Sequence, residues 1–408
     1  MSFSFPRAMP IAFGLVLSSL VAGQAYAQSG NSFGQNFNPK LSLILQGSYA
    51  DYSQGDSAIR GALLGGETEL RESGFSLVET EIVAEANIDN AFRGWVTLGL
   101  HEHDGETEVD VEEAYINTLA LPQGFTAKFG RFFSDIGYLN RFHSHAWDFI
   151  DQPIVYRALL ANSYKDDGVQ LKWIAPTDVF LELGAEAMRG AGFPGGAEER
   201  DSVNAFSVFG HLGGDIGVGG SWRLGLWHLG TDAAERASPG DGETQEEFSF
   251  TGDSDLYGID LVYKWAPNGN PSLRHLILQA EYIMGDESGT LEFSDDGTLG
   301  ATSSDYTAKP KGFYTQAVYQ FVPRWRVGVR YDSLQVDNSL ANNPAGQYNG
   351  LINADDPERV SLMVDFSPSE FSRFRVQYNK DDSQPGGDDD QIFLQYIMSL
   401  GAHPAHQY

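Results

Sequence analysis

Histidines at alternate positions stand beside carboxylates in two parts of the chain: His101 and His103 near Asp104 and Glu106, and His143 and His145 near Asp148 and Asp151. Alternate spacing places both members of a pair on one side of an extended chain. Imidazole with carboxylate is a ligand set that suits zinc. No established zinc-binding spacing is present, so ordinary loop polarity is the alternative to a divalent-cation site. The acidic runs Asp295–Gly297 and Gly387–Asp390 are compatible with loose calcium binding, and we expect no other cofactor.

Charged side chains also alternate with apolar ones in segments that have the pattern of β-strands. If Trp325, Val327 and Val329 face an apolar exterior, their neighbours face the interior. This parity predicts a luminal wall of arginines and early glutamates: Arg324, Arg326, Arg330, Arg373, Arg375, Glu79, Glu81, Glu85 and Glu113. Opposed arginines and carboxylates would sort solutes by charge. Salt bridges that stabilise the wall are the alternative.

The longest predicted connection, Phe133–Lys165, combines polar and apolar side chains. Its polar members are Asp135, Asn140, Arg141, His143, His145, Asp148, Asp151 and Arg157, and its apolar ones include Ile150, Ile154, Val155, Leu159 and Leu160. A fully solvated loop has no need of so many apolar residues. We therefore predict that this loop folds into a lumen and constricts a pore. The alternative is an external loop packed on neighbouring loops or on a partner subunit.

The elements that must position these residues are predicted strands. From residue 39 onward, apolar residues occupy every second position in segments of about ten residues, the period of a strand with one apolar face. Short turns such as Leu121–Gly124 alternate with long polar segments such as Thr231–Asp253, Gly285–Lys311 and Asp332–Pro357. Aromatic residues flank the short turns: Trp173, Trp265, Phe321, Trp325, Phe366 and Phe371. Together these features predict an all-β fold, a transmembrane antiparallel up-and-down β-barrel of about 16 strands.

The N-terminus predicts export. Arg7 precedes an apolar run, Ile11–Ala22, and the pattern Ala25-Tyr26-Ala27 is typical of a signal-peptide cleavage site. We expect a signal peptide at 1–27, a short periplasmic segment at 28–38, the transmembrane barrel at 39–401 and a tail at 402–408. The expected location is the cell outer membrane.

Composition excludes several classes of function. The chain has no cysteine, which excludes disulfides and thiolate metal sites. Its net charge of −30 disfavours nucleic acid as a partner and attracts cations. No G-x-S-x-G, H-E-x-x-H or P-loop pattern occurs, so we do not expect an enzyme.

The stretch from Gly130 through Asn140 to Phe149, with Asp167–Leu171, Trp173 and Pro176–Asp178, resembles a Gram-negative outer-membrane family related to the phosphate-selective porin O/P group. Some relatives in such families are labelled TonB-dependent or zinc-regulated receptors. The resemblance implies a trimeric, passive channel. Its phosphate preference is not carried over, because the chain lacks the lysine cluster that would support it.

These observations predict a porin-type channel for passive diffusion of small hydrophilic solutes, with cations favoured at the mouth. The alternative is an outer-membrane receptor for uptake of a metal ion such as zinc, or a metal complex, linked to a TonB-type partner. The expected partners are outer-membrane lipid and lipopolysaccharide, small solutes or ions, and two further copies of the chain in a homotrimer.

Overall fold

The computed structural model describes residues 39–66, 68–103, 106–196, 201–239, 247–294, 302–342, 351 and 355–401, without the side chains of 102, 103, 106, 107, 239 and 247. The predicted signal peptide, periplasmic segment and tail lie outside the described residues. Among the described residues, no helix combines the length and the apolar character needed to cross a membrane.

Antiparallel strands form a single closed wall. They are β1 Lys40–Tyr52, β2 Gly74–Leu77, β3 Thr80–Asn87, β4 Phe92–His103, β5 Glu106–Thr118, β6 Phe125–Phe133, β7 Lys165–Ile174, β8 Phe180–Met188, β9 Ala205–Ile216, β10 Gly220–Pro239, β11 Glu247–Trp265, β12 His275–Ser294, β13 Thr302–Val322, β14 Trp325–Leu340, β15 Glu358–Ser369, β16 Ser372–Asp382 and β17 Asp389–Gly401. Pairing of β1 with β17 closes the barrel. Because β2 and β3 both pair with β1, they occupy one position in the wall, and the 17 segments make 16 strands. The predicted fold class is confirmed.

The two faces of the wall have opposite polarity. In β15, Val360, Leu362 and Val364 are exposed on the outside, whereas Arg359 and Asp365 point inward and are buried. This inverts the polarity of a soluble protein, in which the apolar face lies inside. Trp325 and Phe366 meet across adjacent strands beside a short turn, with ring centroids 4.7 Å apart, as the aromatic pattern predicted.

The prediction of long loops at Thr231–Asp253, Gly285–Lys311 and Asp332–Pro357 was wrong for much of their length. Much of each segment continues β10 to β14, which reach 16 to 21 residues. Backbone pairing continues through polar residues there, for example between Thr290 and Asp305. The inner face of these extensions packs a second apolar cluster, which includes Phe250, Leu291, Phe293, Tyr306 and Leu63. Burial of that cluster compensates for the low strand propensity of the polar and glycine residues.

The connection between β6 and β7, residues 134–164, crosses the inside of the barrel, and we call it the luminal loop. It contains a 3-10 helical turn, Ser144–Ala146, and one short α-helix, α1 Ile154–Leu160, in which every residue is buried. Ile136, Val155 and Leu160 pack in the main apolar cluster together with Phe209 and Ile283 of the wall. The prediction that this loop folds into the lumen is confirmed.

Candidate functional site

The neck of the luminal loop is closed by one side chain. The Asn140 amide nitrogen donates to the carbonyls of Ser134 at 2.8 Å and Tyr164 at 2.9 Å, and its amide oxygen accepts from the Tyr164 N–H at 2.6 Å. Gly137, between Ser134 and Asn140, has a φ of +64°. A Cβ at this position would meet the Tyr156 hydroxyl and the Glu281 carboxylate. A side chain at residue 137 would therefore be strained and would clash with the opposite wall.

The predicted arginines of β14 lie inside the barrel and bind the luminal loop, as does the one arginine of β15. Arg326 contacts Asp148 at 2.8 Å, and Arg330 contacts Asp151 at 2.9 Å. Arg359 of β15, which the sequence analysis missed, contacts the other Asp151 oxygen at 3.0 Å. The alternation of Val360, Leu362 and Val364 was the signal that could have placed Arg359 inside.

Two further arginines that were predicted to face the lumen, Arg373 and Arg375, lie on β16. For Arg324 the prediction was wrong. Arg375 donates to the Trp147 carbonyl at 2.7 Å, and Arg373 lies 4.0 Å from Asp365. Arg324 was predicted in the lumen but is exposed in the turn between β13 and β14 with a φ of +73°. The strand begins only at Trp325, so the alternation of faces does not extend back to Arg324.

The predicted glutamates of the early strands bind the other side of the loop. Glu79 accepts from the Ser144 hydroxyl at 2.6 Å, and Glu81 contacts His145 at 2.7 Å. Glu113 contacts His143 Nε2 at 2.9 Å. Glu85 differs, because it pairs with Lys40 and Arg93 near the short-turn end of β3.

Glu112 is a luminal residue that strand parity could not find. Thr97 pairs with Glu113 and Leu98 pairs with Val111, so Glu112 is the extra residue of a β-bulge. A bulge breaks the alternation of faces, and both Glu112 and Glu113 are buried inside the barrel. Glu112 accepts two hydrogen bonds from the Lys165 ammonium, each 2.8 Å long.

Of the remaining predicted loop residues, two bind the loop to its surroundings and one makes a contact within the loop. Asp135 contacts Lys172 at 2.7 Å, and the Arg141 guanidinium lies 5.1 Å from the Phe142 ring centroid. Arg157 donates to the carbonyls of Thr68 and Ser57 in the connection between β1 and β2. That first connection is therefore packed against the luminal loop.

Electrostatics keep the luminal loop charged at neutral pH. Burial opposes ionisation of Asp151, but the charges of Arg359 and Arg330 hold the pKa of its carboxyl below the usual range. Burial likewise opposes the charge on His143, but Glu81 and the hydrogen bond to Glu113 raise the pKa of His143 to about 10. Both sides of the loop are thus held by charged contacts.

A cavity of about 870 Å³ remains between the luminal loop and the early strands. Seven carboxylates line it against four arginine and lysine side chains and the charged His143: Glu69, Glu72, Glu79, Glu108, Asp110, Glu112 and Asp151 against Arg71, Arg157, Lys165, Arg359 and His143. The cavity is therefore bordered by an excess of negative charge.

Of the four histidines predicted as metal ligands, the structure places two, His101 and His143, in groups of potential ligands. Ligand atoms of Glu79, Glu81 and His143 lie within 4.8 Å of one another, as do those of Glu79, His101 and Glu112. His145 contacts Glu81. The His103 side chain and the run Asp295–Gly297 lie outside the described residues. In Gly387–Asp390, Asp389 already accepts hydrogen bonds from Ser53, Gln54, Gln384 and Gln391.

Comparison with solved structures identifies the fold. The chain is similar to Salmonella typhi OmpF, with a TM-score of 0.53, 13% identity, and coverage of 90% of this chain and 99% of that one. It is also similar to the trimer form of Vibrio cholerae OmpT, with a TM-score of 0.52, 10% identity, and coverage of 89% and 99%. The outer membrane channel DcaP of Acinetobacter baumannii gives a TM-score of 0.50 at 12% identity, with coverage of 89% and 97%. The fold is that of outer-membrane porins.

Comparison of sequences gives the family. No family model matches the chain. An uncharacterized protein of Aquifex aeolicus strain VF5 is 33% identical over 403 residues, which cover 91% of this chain and 80% of that protein. At this identity and coverage the two chains belong to one family. The chain therefore belongs to the family of this Aquifex aeolicus protein.

Proposed function

We propose that the protein is an outer-membrane channel for passive diffusion of small hydrophilic solutes. The observation that carries the proposal is the water-accessible cavity of about 870 Å³ left beside a luminal loop in a closed 16-strand barrel. At this strand number, wall side chains alone do not fill the interior. The luminal loop narrows the passage, and its residues set the size limit for solutes.

We further propose that the channel favours cations. The carboxylates around the cavity outnumber the cationic side chains, and the excess remains when the ion pairs within the lining are set aside. Lys165 is bound to Glu112, and Arg359 is bound to Asp151 and Asp332. A lumen with excess negative charge concentrates cations and repels anions.

The expected setting of the channel follows from its surface. The apolar exterior suits the outer membrane, with lipid and lipopolysaccharide as its surroundings. We propose that the protein assembles as a homotrimer. The trimer form of OmpT, which has the same fold, supports this proposal. We propose no enzymatic activity, and no observation favours the receptor alternative or a preference for phosphate.

Proteoliposome swelling with uncharged sugars of increasing size tests the proposal. Liposomes that contain the folded protein should swell in small sugars, at rates that fall steeply as solute size increases. Liposomes prepared without protein give the background rate. Swelling at the background rate for even the smallest solutes would contradict a diffusion channel.

A further inference from the structure

Three potential ligands meet at one point between the luminal loop and β3. Glu81 is fully buried, and its Oε2 makes no hydrogen bond. His143 Nδ1 lies 3.6 Å from this oxygen and also makes no hydrogen bond. Ligand atoms of Glu79, Glu81 and His143 together lie within 4.8 Å of one another. Buried polar atoms without hydrogen bonds are costly, and a cation bound between Oε2 and Nδ1 would give both atoms a close partner in place of the 3.6 Å ion pair.

The outer atoms of the same three side chains are already held. His145 Nδ1 lies 2.7 Å from Glu81 Oε1, and the Ser144 hydroxyl donates to Glu79 Oε2 at 2.6 Å. Glu113 binds His143 through Nε2, which leaves Nδ1 directed at Glu81. A carboxylate behind a histidine fixes the ring and raises its basicity as a metal ligand.

From this geometry we infer that Glu79, Glu81 and His143 form a binding site for one divalent transition-metal cation of the zinc type. One imidazole and two carboxylates suit zinc, whereas calcium and magnesium prefer ligand sets made wholly of oxygen. Two carboxylates also balance the two positive charges of the ion, and an ion that binds here replaces the proton that His143 carries between Glu81 and Glu113 at neutral pH. The site joins the luminal loop to the wall and does not depend on whether the barrel conducts.

The cavity provides the route by which the ion enters. Glu79 and His143 line it, so a fourth coordination position can face water. The neighbouring group of Glu79, His101 and Glu112 is a weaker candidate, because the Lys165 ammonium already binds both Glu112 oxygens. A cation there would have to displace that ammonium.

Isothermal titration of the folded, detergent-solubilised barrel with ZnCl2 tests the site. The wild type should bind one zinc ion per chain. Glu81→Gln and Glu79→Gln, which keep the size of each side chain, should each weaken binding by more than about tenfold. His275→Gln is the matched control, since His275 lies beside a short turn and contacts the Pro271 carbonyl; its affinity should equal that of the wild type.

Two results would overturn the inference. One is a wild-type barrel that binds no zinc at stoichiometric concentration. The other is binding that persists unchanged in both glutamine variants, as capture by His403 and His406 in the tail would produce. Heat-modifiable mobility in gels confirms that each variant is folded, and if one fails to fold, the other decides the question. Binding is read without any conductance measurement, so the outcome is separable from the proposed channel function.

Discussion

Arg330 of β14 binds Asp151 of the luminal loop twice, through Nη2 to the carboxylate at 2.9 Å and through Nη1 to the carbonyl at 2.7 Å. Arg359 shares the same carboxylate at 3.0 Å, and Gln377 and Asn379 donate to it at 2.7 and 2.9 Å. One loop residue is therefore fastened to three consecutive strands, β14, β15 and β16. This contact fixes the luminal loop against the arginines.

Asp151→Ala is expected to destabilise the barrel. The substitution leaves Arg330 and Arg359, both almost wholly buried, with one carboxylate partner fewer, and removal of one member of a buried ion pair costs about 3 kcal/mol or more. Denaturant titration followed by tryptophan fluorescence measures the free energy of unfolding. Lys380→Ala is the control, because its ion pair with Asp388 is exposed and should contribute nothing measurable. Equal loss in the two variants would contradict the account.

The contribution of Asp151 should disappear in acid. Its folded pKa lies below the usual 3.8, so the stabilisation is complete above that pH and is lost as the pH falls through the folded value. The difference in unfolding free energy between wild type and Asp151→Asn should be constant from pH 5 to 7 and shrink below about pH 4. A difference that grows on acidification would show that Asp151 is not held as a charged partner.

The barrel and its loop were predictable because they follow from period and composition. Alternation of apolar and polar residues is a local property, and it placed Arg326 and Arg330 on the inner face without any knowledge of pairing. The apolar residues of the luminal loop, such as Ile154 and Leu160, likewise marked it as buried. These features depend on the identity of each residue and its near neighbours.

The features that could not be predicted from the sequence depend on how neighbouring strands pair and pack. The bulge that turns Glu112 inward is set by the register of β4 against β5. The extension of β11 to β13 through polar sequence depends on the apolar cluster that those strands form together. The sequence analysis also predicted that the arginines and the glutamates face each other across a pore. In the structure, Asp148 and Asp151 of the loop neutralise the arginine side directly.

The luminal loop should limit conductance. Replacing residues 143–157 with a short Gly-Ser linker keeps the Asn140 neck and removes most of the material inside the lumen. Single-channel conductance of this variant should exceed that of the wild type several-fold, because the narrowest cross-section sets the resistance. A folded variant with unchanged conductance would show that ions avoid the loop.

Carboxylates of the cavity should set the preference for cations. The triple variant Glu72→Gln, Glu108→Gln and Asp110→Asn removes three charges that line the cavity. Its reversal potential in a potassium chloride gradient should move toward zero, because the excess negative charge attracts potassium. The matched control neutralises three exposed carboxylates near the short turns, Asp178, Asp215 and Glu370. If both variants shift equally, the lining does not determine selectivity.

Single-channel recording of the purified wild-type protein in a planar lipid bilayer tests the central claim most directly. The account predicts discrete steps of current whose size is proportional to the voltage. In a salt gradient, the sign of the reversal potential should show that cations permeate more readily than anions. Folded protein that inserts into the bilayer and never conducts would contradict it.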